Sequence, residues 1–149
     1  MRVVLDTNVL LSLWAFTDSK FAPLRQQVEA GEWVALTTDE CLAEFRRVLG
    51  YEQFGYDEQR QAQIHAAYAA IAQHHDGPPL TEPLLPRCRD RDDQKFLELA
   101  RDGGAEWLIS ADKDLLRLAR RNKLKGLFYI LKPDAALAAL LAAAESSAS

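Results

Sequence analysis

The chain alternates short apolar segments with stretches of helical periodicity, and this alternation constrains the fold more than any other feature. Four segments have the length and apolar content of buried strands: Val3–Leu5, Trp33–Leu36, Trp107–Ile109 and Leu127–Leu131. Because strands that alternate with helices are joined by crossover connections, they form a parallel sheet with helices on both faces. The sequence therefore predicts an α/β protein, a three-layer α/β/α sandwich with a central, mostly parallel sheet.

The stretches between these segments predict helices that begin at capping or proline signals. The first has capping-box spacing from Thr37 to Glu40, and Leu42, Phe45 and Leu49 then recur at helical period. The other predicted helices are Asp57 to about His75, Asp93–Arg101, Lys113–Arg121 and Asp134–Glu145. The last of these is apolar nearly all round, which predicts docking on the sheet or on a second subunit.

The length and composition are those of one globular domain. The 149 residues are 48% apolar and 27% charged, which excludes a disordered chain. We find no internal repeat and no linker that divides the chain. The prediction is a single domain over residues 1–145, followed by a disordered tail over residues 146–149.

Three features predict a cytoplasmic protein without membrane association. No apolar run approaches the roughly 20 residues that span a bilayer. The start, MRVVLDTN, places Asp6 where the apolar region of a signal peptide continues. Cys41 and Cys88 lack any Cys-x-x-Cys spacing, so we expect reduced residues in the core rather than a metal or redox site.

Four carboxylates are expected at one edge of the sheet. Asp6 ends the first strand, and Asp112 follows the third. Glu44 lies at the border of the apolar stripe on its helix, and Asp93 points inward on the first turn of another. Because functional groups of parallel α/β folds collect at the carboxyl ends of the strands, these four acids are predicted to converge on one shallow site.

Each acid also has an ordinary structural explanation. Asp6 and Asp112 suit helix N-caps, and Glu44 suits a solvated helix surface. Asp93 suits a helix start, although Asp90 or Asp92 also supplies a cap there. Together, however, clustered carboxylates repel one another unless a cation neutralises them.

The donor chemistry selects the ion. Oxygen ligands favour a hard divalent cation, Mg²⁺ or Mn²⁺, over zinc. The three histidines, His65, His74 and His75, fall in the predicted mid-chain helix, where we expect them to be solvent-exposed. A metal site built on carboxylates is typical of enzymes that hydrolyse phosphodiesters, because the ion lowers the pKa of bound water and stabilises developing charge.

Four motifs together resemble the PIN-domain family. They are LDTN at 5–8, ECLAEFRRVL around Glu44, DDQKFLELA at 92–100 and SADKDLL at 110–116. The similarity extends from Asp6 to about Pro133 and is closest to VapC-like toxins of bacterial toxin–antitoxin systems. It implies endonucleolytic cleavage of RNA with Mg²⁺ or Mn²⁺, a small antitoxin protein as partner, and a homodimer.

The same resemblance assigns roles to individual residues. The catalytic, metal-binding acids of the family fall on Asp6, Glu44, Asp93 and Asp112. Three further polar residues have supporting roles, and they are Asn8, Ser110 and Asp114. Asn8 is expected to orient Asp6 by a hydrogen bond, and Ser110 is the small polar residue that precedes the last acid. Asp114 is either an outer ligand or a helix-start residue.

The net charge of −4 means that RNA binding requires a local basic patch. Two groups of basic residues are candidates, and they are Arg46 and Arg47 beside Glu44, and Lys113, Arg117, Arg120 and Arg121 beyond the last acid. They form either a positive rim for RNA or solvated helix surfaces.

Two other functions compete with the nuclease. A phospho-receiver-like signalling module is also a parallel α/β domain with acids at strand ends, and Lys132-Pro133 resembles its lysine–proline step. A receiver, however, needs two acids at the end of the first strand, where this chain has Asp6, Thr7 and Asn8. A catalytically inactive PIN-fold binding module is the second alternative, and the presence of all four repelling acids argues against it.

Overall fold

A central parallel sheet organises the protein, which a computed structural model describes over residues 1–121 and 124–148. The strands are β1 (Arg2–Leu5), β2 (Val34–Thr37), β3 (Gln73–His74), β4 (Trp107–Ile109) and β5 (Tyr129–Leu131). Their order across the sheet is β3-β2-β1-β4-β5, and every pairing is parallel. The predicted mostly parallel sheet is confirmed.

Helices cover both faces of this sheet. They are α1 (Thr7–Leu10), α2 (Ala22–Glu29), α3 (Asp39–Leu49), α4 (Glu58–Ala69), α5 (Gln94–Asp102), α6 (Lys113–Leu116) and α7 (Pro133–Ala148). Side chains of β1 alternate between the two faces. Val3 and Leu5 pack in a core shared with α1, α2, α3 and α4, whereas Val4 packs with α5 and α6. The predicted three-layer α/β/α sandwich is therefore confirmed.

The strand order separates this fold from a receiver. Receiver-type sheets have the order 2-1-3-4-5, in which the third strand lies next to the first. Here β4, rather than β3, lies beside β1, and β3 lies at the edge next to β2. The topology therefore does not support the phospho-receiver alternative.

The predicted mid-chain helix from Asp57 to about His75 is too long. Helix α4 ends at Ala69, and β3 then pairs its residues Gln73 and His74 with the end of β2. This edge strand has no alternating apolar pattern, because both of its side chains are exposed. Backbone pairing with β2 alone defines it, so the local sequence carries no signal for it.

The histidines are not solvated residues of one helix. His65 does lie on α4, but its Nε2 is 2.9 Å from the carbonyl oxygen of Leu42. The Nδ1 of His74 is 3.5 Å from Oδ1 of Asp39. The backbone N–H of His75 donates to the carbonyl of Thr37 at 2.9 Å. The predicted solvent exposure is confirmed for His74, whereas His65 and His75 are only partly exposed because they connect α4 and the end of β3 to α3 and β2.

Other helix boundaries also differ from the prediction, and α5 is shifted by one residue at each end. Thr38, not Thr37, caps α3 and accepts the N–H of Cys41, because Thr37 is the buried last residue of β2. Helix α6 ends at Leu116 rather than Arg121, since the chain turns there through bonds between residues three apart. Helix α7 continues to Ala148, past the predicted end, and Ser149 lies outside the described residues.

Two expectations from the sequence concern the cysteines and the membrane. Cys41 and Cys88 are free and buried, which confirms their assignment to the core. No helix among the described residues has both the length and the apolarity needed to cross a membrane.

Candidate active site

Asp6 and Asp112 lie at the same edge of the sheet because β1 and β4 are neighbouring parallel strands. The backbone N–H of Asp6 donates to the carbonyl of Ile109 at the end of β4, at 3.1 Å. Oδ1 of Asp6 caps α1 by accepting the N–H of Val9 at 3.0 Å. Oδ1 of Asp112 caps α6 and accepts the N–H of Asp114 at 2.8 Å. Both aspartates are N-caps, and capping fixes one oxygen of each in place.

Ser110 joins these two aspartates. Its side chain is completely buried, and its hydroxyl donates to Oδ2 of Asp6. The same hydroxyl oxygen accepts the backbone N–H of Asp112 at 2.9 Å. Asn8 was expected to orient Asp6, but the described hydrogen bonds to that carboxylate come from Ser110 and Val9. Asn8 is exposed and lines the cavity instead.

Glu44 approaches the same edge from α3. Its side chain is only 13% exposed, so the solvated-surface explanation does not apply. The hydroxyl of Thr7 donates to Oε2 of Glu44, and Nζ of Lys95 lies 2.8 Å from Oε1. Arg47 lies further away, with 3.9 Å between Nη2 and Oε1. Thr7 and Lys95 therefore each hold one oxygen of the Glu44 carboxylate in place.

Asp93 occupies the N-cap position of α5, but its side chain makes no capping hydrogen bond. It is the last residue of a 3₁₀ turn, Arg91–Asp93, which leads into α5. Asp90 caps that turn by accepting the N–H of Asp92 at 2.9 Å, as the sequence predicted for Asp90 or Asp92. The carboxylate of Asp93 accepts no capping bond, and its Oδ2 is buried without a hydrogen-bond partner in the described part of the chain. One oxygen of Asp93 is therefore left for a ligand.

The four acids line one cavity of about 270 Å³. Burial, followed by the negative charge of Asp112, raises the pKa of Asp93 to about 7. Burial also raises the pKa of Asp6 to about 6, although the hydrogen bonds from Ser110 and Val9 oppose this change. These shifts mean that charge on the acids is disfavoured without a neutralising cation.

The donor set suits a hard divalent ion, but the site is not assembled for one. Over residues 1–121 and 124–148, no three His, Cys, Asp or Glu side chains form a group that is arranged to hold a metal. Glu44 is paired with Lys95, and Asp112 is bonded to the start of α6. The buried, unpartnered Oδ2 of Asp93 and the carboxylate oxygens of the other three acids nevertheless fit Mg²⁺ or Mn²⁺.

The basic residues predicted to bind RNA do not all lie at this cavity. Arg47 lines it, whereas Nη1 of Arg46 is directed to Gln61 on α4, at 3.3 Å. The remaining four are exposed and do not line the cavity, and they are Lys113, Arg117, Arg120 and Arg121. Asp114 does not line the cavity either; its backbone N–H serves the cap at Asp112.

Sequence reasoning missed Thr7 and Lys95. Thr7 lies within LDTN and Lys95 within DDQKFLELA, so both were in motifs that we had singled out. Their partner, Glu44, is distant in the chain: 37 positions from Thr7 and 51 from Lys95. No periodic pattern marks such pairs, although a lysine two residues after an inward-facing aspartate was an available signal.

Comparison with known proteins gives one match. A family model described as PIN domain matches residues 2–114. The searches of curated proteins and of solved structures returned no match. The matched region includes Asp6, Glu44, Asp93 and Asp112 and most of the sheet.

Proposed function

The chain belongs to the PIN-domain family, and on that premise we propose that it is an endoribonuclease that hydrolyses RNA phosphodiester bonds with Mg²⁺ or Mn²⁺. PIN domains are generally nucleases and typically depend on divalent metals. The RNA substrate, cleavage within the strand and the identity of the ion are the parts proposed for this chain.

One observation carries the proposal: four carboxylates from separate elements line a single cavity. Asp6, Glu44, Asp93 and Asp112 come from the ends of β1 and β4, from α3 and from the turn before α5. Like charges this close destabilise the fold unless a cation is present. We propose these four as the catalytic, metal-binding residues, with Oδ2 of Asp93 as an oxygen that has no other described partner.

The chain's own residues position these carboxylates. When bound, a divalent ion lowers the pKa of the attacking water and neutralises charge that develops on the phosphate. Ser110 fixes Oδ2 of Asp6 and the backbone of Asp112 through a single hydroxyl. Thr7 fixes Oε2 of Glu44. Such supporting hydrogen bonds keep metal-binding carboxylates in a productive orientation.

We also propose that the protein is the cytoplasmic toxin of a toxin–antitoxin pair, that a small antitoxin blocks it, and that it forms a homodimer. Support comes from large apolar side chains that remain exposed on the surface. Tyr129 is 73% exposed on the edge strand β5, and Leu141 is 52% exposed on α7. Ala136 buries another side of α7 against the core. An edge strand with an exposed aromatic side chain is a site at which another chain can pair.

Cleavage of a labelled single-stranded RNA tests the proposed activity. The purified protein is assayed with Mn²⁺, with Mg²⁺ and with EDTA, beside the variants Asp93→Asn and Asp6→Asn. Asp93→Asn is the sharper variant, because the Asp93 carboxylate makes no capping bond that the fold needs. Asp76→Asn, an exposed aspartate outside the acid cavity, is the matched control.

We expect metal-dependent cutting that Asp93→Asn reduces by at least about 100-fold, whereas Asp76→Asn retains it. Equal cutting in EDTA, or full activity in a folded Asp93→Asn protein, contradicts the proposal. If the protein neither cuts RNA nor gains thermal stability from Mn²⁺ or Mg²⁺, the alternative of a catalytically inactive binding module is favoured instead.

A further inference from the structure

A second cleft, of about 650 Å³, lies beside the acid cavity and is rich in arginine. Four arginines line it: Arg87, Arg89, Arg91 and Arg101. Glu98 on α5 contributes a carboxylate to the wall. None of these arginines is among the basic residues that the sequence suggested for RNA binding. We call this feature the arginine cleft.

Three of the four guanidinium groups have no partner within the described parts of the chain. Arg87, Arg89 and Arg91 are exposed, and their side chains take part in no described hydrogen bond or ion pair. Pro86 and Cys88, which alternate with the first two arginines, are buried. The alternation directs Arg87 and Arg89 outward. Three like charges in one cleft repel one another, so the arrangement favours an anion.

Arg101 has a structural role in the same cleft. Its Nε lies 2.9 Å from Oδ1 of Asp102, and the side chain is only 9% exposed. Its Nη1 and Nη2 donate to the carbonyls of Pro83 and Leu80 at 3.2 and 2.6 Å. These bonds attach the segment before Arg87 to α5. The cleft wall is therefore a fixed part of the fold, although the segment has no regular secondary structure.

Gln94 connects the arginine cleft to the acid cavity. Its Oε1 accepts the N–H of Cys88 at 2.7 Å, and its Nε2 donates to the carbonyl of Pro86 at 3.2 Å. Gln94 directly follows Asp93 in the sequence. Its two hydrogen bonds therefore attach the segment that carries Arg87 and Arg89 to the start of α5, next to the candidate catalytic acid. The intervening turn has Arg91 in the arginine cleft and Asp93 in the acid cavity. The two sites therefore share one wall.

We propose that the arginine cleft binds phosphates of a single-stranded RNA that continues from the acid cavity; this inference rests on the proposed nuclease function. Guanidinium groups bind phosphate oxygens in a bidentate manner, and unpaired ones lose no existing ion pair when they do so. In a chain of net charge −4, a local group of unpaired arginines provides the attraction that the overall charge does not.

The test measures RNA binding and cleavage separately. Affinity for a labelled single-stranded RNA is measured by fluorescence anisotropy in EDTA at several salt concentrations. The test protein is the triple variant Arg87→Gln/Arg89→Gln/Arg91→Gln. Its control, Arg60→Gln/Lys125→Gln/Lys132→Gln, removes the same charge from exposed positions outside both sites. Melting curves confirm that both variants are folded.

We expect the arginine-cleft variant to bind RNA at least about 10-fold more weakly. The magnitude of the slope of log K against log salt should fall by about 2, since each single-strand phosphate contact contributes about 0.7. In cleavage with Mn²⁺, its KM rises while kcat is retained. The single variant Arg89→Gln should give about a third of the change in slope. It keeps the test valid if the triple variant does not fold.

Two outcomes overturn the inference. If the arginine-cleft variant and its control have the same affinity and salt slope, the cleft does not bind RNA; cutting by the wild type then leaves the proposed nuclease function intact. If the wild type binds no RNA in any salt, the inference also fails. Asp93→Asn separates the two proposals, because it abolishes cutting but retains RNA binding when both are correct.

Discussion

Nζ of Lys95 lies 2.8 Å from Oε1 of Glu44, and both side chains are close to nine-tenths buried. The same ammonium group donates to the backbone carbonyl of Asp92 and lies 4.9 Å from the ring centroid of Phe96. Lys95 therefore places a positive charge against Glu44, one of the four acids. A divalent ion that binds Glu44 competes with this ammonium group for the same oxygen.

Removal of that charge tests this competition. In Lys95→Met, we expect the metal-free protein to lose about 1–3 kcal/mol of unfolding free energy, because a largely buried carboxylate loses its cation. Saturating Mn²⁺ then raises the melting temperature more than it does in the wild type. Differential scanning fluorimetry in EDTA and in Mn²⁺ measures both effects. Lys132→Met, which alters an exposed lysine, is the control; equal behaviour of the two variants contradicts the assigned role.

The raised pKa of Asp93 predicts a pH-dependent stability in EDTA. Its folded pKa of about 7 exceeds the ordinary value of 3.8, so the folded state retains the proton more strongly than the unfolded state. The stability that Asp93 contributes is complete below about pH 4 and is lost as the pH rises towards 7. The variant Asp93→Asn should therefore have the same unfolding free energy as the wild type at pH 4 and a higher one at pH 8.

At pH 8 we expect the unfolding free energies of the variant and the wild type to differ by about 1–2 kcal/mol. This is less than the full pKa shift of Asp93 implies, because the side chain is only half-buried. Chemical denaturation at both pH values measures it, and Asp76→Asn controls for loss of a surface charge. A difference of the same size at pH 4 and pH 8 rules out titration of Asp93 as the cause.

Ser110→Ala tests the hydroxyl that joins Asp6 and Asp112. We expect a loss of about 1–3 kcal/mol in stability, because a buried carboxylate oxygen and a backbone N–H lose their common partner. Affinity for Mn²⁺ should also fall, since Oδ2 of Asp6 then loses the hydrogen bond that orients it, although Val9 still holds Oδ1. Isothermal titration calorimetry measures the affinity. Ser12→Ala removes a hydroxyl whose described hydrogen bond goes to the backbone carbonyl of Asn8, and it should leave Mn²⁺ binding unchanged.

Leu141 on α7 tests the proposed homodimer. If α7 forms the subunit contact, Leu141→Asp should shift the protein from dimer to monomer, because a charge is then placed in an apolar interface. Size-exclusion chromatography with light scattering measures the mass. Leu84→Asp, at an apolar side chain that is 68% exposed elsewhere, is the control. A wild-type protein that is monomeric at all concentrations contradicts the proposal.

Much of the fold and the candidate site could be predicted because the relevant signals are local. An apolar run such as Trp107–Ile109 predicts a buried strand by itself, and the observed β4 has those bounds. The positions of Asp6 and Asp112 then follow from topology, because the carboxyl ends of neighbouring parallel strands share an edge. Counting α-helical positions placed Asp93 on the inward side, although it lies in the 3₁₀ turn that leads into α5.

The sequence by itself determined the layered architecture and the group of four acids, because residue periodicity and strand-end position are properties of short segments. Tertiary structure decided what surrounds each acid. The pairing of Lys95 with Glu44 joins residues 51 positions apart, and the Ser110–Asp6 hydrogen bond joins residues 104 positions apart. The edge strand β3 also depends on a long-range pairing, with β2. Each forms only when the packed sheet brings distant segments together, and no local pattern records that proximity.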